Sequence, residues 1–150
     1  MQYLAGKAVA ERIQGLISEK HQRHHYETDL TVRAIYRVTG PGSVDFGGSE
    51  ETEAPRDELS PVKRSDQDQY GWWDLGPGSY VVRFNETPHL EENQIAFLQP
   101  HERLMRAGAL HGSYNFRETR EFLETTIMVG SGGIRIKENA RVSKLLVLRI

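Results

Sequence analysis

The sequence predicts a mainly β protein, a sandwich or barrel with one N-terminal helix, and three observations carry that prediction. Short apolar runs recur at even spacing after Tyr70: Tyr80 to Phe84, Gln94 to Leu98, Thr125 to Val129, Ile134 to Ile136 and Val142 to Ile150. Gly and Pro turns separate them, as in antiparallel sandwiches and barrels. Helical periodicity occurs only near the start of the chain.

There, Val9, Ile13, Leu16 and Ile17 fall at i, i+4, i+7 and i+8, so Gly6 to Ser18 is expected to form a helix of about three turns with one apolar face. The period changes over Leu30 to Val38, a β-branched run that ends at Thr39-Gly40-Pro41-Gly42 and is expected to be strand followed by turn. Ser43 to Gln69 is acidic, punctuated by Pro and poor in apolar residues, which predicts an extended surface excursion with one short strand.

With 150 residues, 37% of them hydrophobic, the chain can bury one core, and a single domain spanning 1–150 is expected. Nineteen basic against 21 acidic side chains leave no global field to attract nucleic acid or an anionic membrane, so any phosphate site must be local. The absence of cysteine excludes disulfides, thiolate metal sites and a cysteine nucleophile, and it is compatible with a reducing cytosol. Met1 to Leu16 mixes Lys7, Glu11, Arg12 and Gln14 among its apolar residues, unlike a signal peptide. No run is long enough to span a membrane, and a cytoplasmic location is expected.

Five segments resemble the dUTPase and dCTP deaminase superfamily, especially its archaeal dUTPase-like branch. Leu4 to Ile13 is similar to the opening helix of that branch, and Trp73-Asp74-Leu75-Gly76-Pro77-Gly78-Ser79-Tyr80 resembles its Leu-Gly-Pro-Gly-x-Tyr strand. Glu27-Thr28-Asp29-Leu30 looks like the first motif, whose Asp helps to organise magnesium and the pocket. Pro100 to Arg106 occupies the place of Pro-Arg-Ser-Ser-Leu-x-Arg, and Glu138 to Lys144 that of Pro-Gly-x-Arg-Ile-Ala-Gln. The resemblance implies a distorted β-barrel or jelly roll with one N-terminal helix and assembly as a homotrimer with its pocket between subunits. It also implies a deoxynucleotide or phosphate ligand, with magnesium.

On that resemblance Arg103, Arg106, His111, Tyr114, Arg141 and Lys144 are the substrate-binding candidates, and Asp29 the magnesium candidate. Several motif positions depart from the pattern. Glu102 puts a carboxylate where a Ser would meet phosphate, which like-charge repulsion opposes. Phe116 falls near the place of the water-activating Asp, and Thr125 to Val129 offers no carboxylate where the deaminases have Glu. Asn139 stands for Gly in a turn, a conformation that Asn tolerates.

The expected function is therefore a deoxynucleotide-metabolism protein that lacks the standard catalytic residues and keeps a nucleotide-binding, anion-binding or regulatory role. The alternative is an active dUTP pyrophosphatase in which Glu118 or Glu121 replaces the lost base, with Glu124 considered beside them. A solvated charged face is the plainer reading of these glutamates. His21 to His25 reads as a solvated loop, and His111 as a structural, hydrogen-bonded residue.

Overall fold

A computed structural model describes residues 1–150. Four short elements open the chain: β1 (Gln2–Tyr3), α1 (Gly6–Ala10), β2 (Ile13–Gln14) and α2 (Glu19–Gln22). The long β3 (Thr28–Val38) follows, then β4 (Arg56–Leu59), β5 (Trp72–Leu75), β6 (Gly78–Phe84), β7 (Thr87–Pro88) and β8 (Gln94–Pro100). The rest comprises α3 (Glu102–Ala107), β9 (Ala109–Leu110), β10 (Tyr114–Phe116), β11 (Glu124–Val129), β12 (Ile134–Lys137) and β13 (Arg141–Arg149).

One nine-stranded antiparallel sheet runs β10-β8-β13-β3-β6-β11-β9, with β1 added on β13 and β4 on β3. It curls because β3 changes partners along its length. Residues 28–31 pair with β13, residues 32–37 with β6 and residues 35–38 with β4. The register shifts between Val32 and Ala34, as a bulge requires where a strand bends. The mainly β architecture predicted from the even strand spacing is thus realised, as a curled half-barrel sheet with short helices only.

Period-2 alternation fills the barrel. Tyr80, Val82 and Phe84 of β6, Ala96 and Leu98 of β8, and Thr125, Ile127 and Val129 of β11 point inward, and their neighbours point out. Leu30, Val32, Ile35, Leu98, Ile127 and Leu145 are fully buried at the centre of a 24-residue cluster.

The expected three-turn helix is a correction. Helix ends at Ala10, after which Ile13 and Gln14 pair with Pro88 and Thr87. Gly15 then takes φ +92 against the Asn85 carbonyl, where a Cβ would lie 2.4 Å from that oxygen. Val9 and Ile13 reach the core as the spacing required, but Ile17 is exposed, because sheet pairing overrides helical periodicity. The 43–69 excursion does carry one short strand, β4, and is pinned by bridges at Ser43–Thr52 and Val62–Trp72. No helix is long and apolar enough to cross a membrane.

Candidate functional site

The sequence candidates fall into three places rather than one. Asp29 centres the first. It is fully buried on β3, opposite Lys144 of β13, and Arg141 Nη1 and His24 Nε2 reach its Oδ2 at 3.2 and 2.9 Å. His101 Nε2 stands 3.5 Å from Oδ1, which accepts no hydrogen bond. Lys144 pairs with Glu27 at 3.3 Å. Burial pushes the His101 imidazole below its ordinary value, against the pull of Asp29, and its Nδ1 accepts the Arg103 N–H at the start of α3. A neutral ring that accepts at Nδ1 carries its proton on Nε2, facing Asp29.

Reading His21 to His25 as a solvated loop is corrected here. Gln22 is buried, donating to Asp29 O at 2.9 Å and Glu86 Oε2 at 3.0 Å, and His24 is bound to Asp29. Glu86 is itself fully buried and accepts from Thr31 N and Oγ1 as well, yet burial dominates and pushes its carboxyl above the ordinary value. Neither residue carries a sequence signal, because both contacts join segments remote in the chain.

Magnesium does not fit Asp29 as a protein-ligated ion. It requires an octahedron of oxygens, whereas Oδ2 is committed to Arg141 and His24 and the near neighbours are nitrogen donors. No group of three or more His, Cys, Asp or Glu side chains is gathered to hold a metal. Asp29, expected to organise magnesium, instead organises two imidazoles and a guanidinium.

The second place is the outer face of α3, where Arg103 and Arg106 are exposed and Arg106 lies 3.8 Å from Glu102. Arg103 also borders a cavity of ≈ 180 Å3 with Trp72, Lys137 and Arg141.

The third is a cleft of ≈ 810 Å3 between β4, β6, β11 and the 112–114 segment, lined by Arg56, Ser113, Tyr114, Arg120, Glu124 and Thr126 among others. Its floor follows from register. Glu124 lies opposite Arg83 and Thr126 opposite Val81, which is opposite Tyr36, so all five side chains share the face turned away from the core. Arg56 Nη1 and Nη2 donate to Glu124 at 3.0 to 3.2 Å, and Arg83 Nε donates to Glu124 Oε2 at 2.9 Å. The Arg56 guanidinium lies 4.4 Å from the Tyr36 ring centre and that of Arg83 4.0 Å from that of Phe122. The Tyr114 hydroxyl donates to Glu124 O at 2.7 Å, and burial raises that phenol above its ordinary value.

Of the three glutamates weighed as a replacement base, Glu124 lines this cleft, whereas Glu118 and Glu121 lie exposed on the loop before it. Phe116 is buried in the core. Buried His111 links the first and third places: Nδ1 lies 2.9 Å from Gly112 O and Nε2 2.8 Å from Ser143 Oγ. Burial lowers its imidazole, so the neutral ring donates to the carbonyl and accepts from the hydroxyl. Arg56 was missed in the sequence, where nothing distinguishes it from the solvated charges around it.

No family model matches the chain. A "Probable deoxyuridine 5'-triphosphate nucleotidohydrolase" of Methanosarcina acetivorans is 35% identical over 120 residues, 79% of this chain and 67% of the relative. One of the same name from Archaeoglobus fulgidus is 33% identical over 129 residues, covering 81% and 69%. Among solved structures, a 2'-deoxycytidine 5'-triphosphate deaminase from Agrobacterium tumefaciens superposes over 97% of this chain with a TM-score of 0.67 at 16% identity. This chain spans 47% of that deaminase chain, and the likeness is one of fold. With these relatives and this half-barrel, the chain belongs to the family of archaeal probable deoxyuridine 5'-triphosphate nucleotidohydrolases, within the dUTPase and dCTP deaminase superfamily.

Proposed function

We propose that the protein hydrolyses a deoxynucleoside triphosphate of the dUTP class to monophosphate and pyrophosphate, with Glu124 as the general base. The observation that carries this reading is the placement of Glu124: it is a carboxylate on the wall of a cleft of ≈ 810 Å3, at the start of the strand that follows Tyr114 to Phe116. In this scheme water attacks the α-phosphorus, its proton passes to Glu124, and the bond to the bridging oxygen of the β-phosphate breaks. Tyr114 would border the base. Arg103 and Arg106, outside the cleft of their own chain, would meet the phosphates in the cleft of a neighbouring copy if the single domain 1–150 works as a cytoplasmic homotrimer. Magnesium, where used, would be carried on phosphate oxygens and would neutralise charge there.

The reading is tested by product chromatography after incubation with dUTP, dCTP and the other deoxynucleoside triphosphates, with and without magnesium. Release of monophosphate and pyrophosphate is expected, reduced about 10²- to 10⁴-fold by Glu124→Gln, the usual worth of a positioned base. Turnover unaffected by that change would remove Glu124 from the chemistry. No turnover on any substrate would instead favour a protein that binds a nucleotide or anion without hydrolysing it, the reading that buried Phe116 supports at the family's base position.

A further inference from the structure

We infer that Arg56 is an oligophosphate-binding residue masked by Glu124, so that the anionic tail of a ligand must displace the carboxylate to enter. This deepens the reading of the cleft as the nucleotide site.

The argument starts from what Glu124 does in the free protein. Its two oxygens accept three contacts from Arg56 and one from Arg83, all within 3.2 Å. A base so engaged cannot accept a proton from water until a guanidinium leaves it. The fork that grips a carboxylate bidentately grips a phosphate in the same way. Arg56 comes from β4, the edge strand of the excursion, and both members of the pair are one-quarter exposed on the cleft wall, so the exchange needs side-chain rotation and no unfolding. The rest of the wall suits an anion. Arg120 adds a second guanidinium to that of Arg56, and Ser113 and Thr126 add hydroxyls. Glu124 and Glu53 are the carboxylates that line the cleft. One incoming polyanion would therefore exchange places with Glu124 on Arg56 and release that carboxylate toward the reacting water. Coupling through a shared guanidinium makes binding and base activation one event.

The test uses inorganic triphosphate, which requires no turnover, and calorimetric titration of four proteins: native, Glu124→Gln, Arg56→Gln and the double variant. Removing the competing carboxylate is expected to tighten binding by about tenfold, even though it slows hydrolysis, and Arg56→Gln is expected to weaken binding and erase that gain in the double variant. Arg56→Lys, which keeps the charge and loses the fork, should fall between native and Arg56→Gln. Melting curves identify any variant that fails to fold, and Arg56→Lys then carries the comparison. Binding by Glu124→Gln no tighter than native, or a gain that persists without Arg56, overturns the inference. Failure of hydrolysis alone, with these affinities as expected, removes the proposed reaction and leaves the oligophosphate site standing.

Discussion

Asp29 and Glu124 are both carboxylates held by arginine, yet one is 1% exposed and the other 25%. Around Asp29 the partners arrive from three segments, His24 before β3, His101 at the start of α3 and Arg141 at the start of β13. Asp29 itself is cut off from water, so removal of Arg141 leaves a buried carboxylate without its cation. Around Glu124 the partners come from β6, its neighbour in the sheet, and from β4, and open onto a solvent-accessible cleft, where a lost contact is replaced by solvent or by a ligand. The same chemical pair therefore fixes structure in one place and stays exchangeable in the other, and depth decides which.

Asp29→Ala should break that contrast most severely, lowering stability in denaturant titration by about 3 kcal/mol, because Arg141 and His24 lose hydrogen bonds to a charged acceptor worth about 1.5 kcal/mol or more each. Gly6→Ala attacks the same region through its backbone, because a Cβ there would sit 1.7 Å from the His24 carbonyl oxygen. A loss of about 1–3 kcal/mol is expected, with weaker nucleotide turnover only if the His24 loop serves the cleft. A gentler perturbation is pH. His101 and His111 have folded values below 6.5, so the unfolded chain binds more protons, and their contribution to stability is lost as pH falls below 6.5 toward the folded values. Glu86 runs the other way: its raised folded value makes ionisation costly, so stability falls as pH rises from 4.5 through that value. Melting curves from pH 8 to 5 should accordingly flatten in His111→Gln relative to native; parallel curves would deny His111 its part. Smallest is Glu124→Gln, expected to shift stability by about 1 kcal/mol or less, as partly solvated pairs do. A loss matching that of Asp29→Ala would erase the distinction between the two regions.

The strands were legible because alternation and turn chemistry are local. Asn139 is an instance: it takes φ 65, the turn conformation expected of it in place of Gly, and receives Asn85 Nδ2 at 3.0 Å. The N-terminal helix was overread because Val9 and Ile13 satisfy helical spacing while Ile13 in fact pairs with Pro88. The site was less legible for a similar reason. Glu118, Glu121 and Glu124 look alike in the sequence, and only the pairing of β11 with β6 turns Glu124 toward Arg83. Gln22, His24, Glu86 and Arg56 act on partners 5 to 68 positions away, where no periodicity announces them.

β3 carries Asp29 near its first residue and Tyr36 near its last, with a bulge between. Seven residues of extended strand set the two roughly 20 Å apart. The strand thus acts as a measuring rod. The Asp29 cluster and the Glu124 cleft are therefore held at a set separation by one element. Adding one residue between the ends would turn Tyr36 inward and take from Arg56 and Arg83 the ring they stack on.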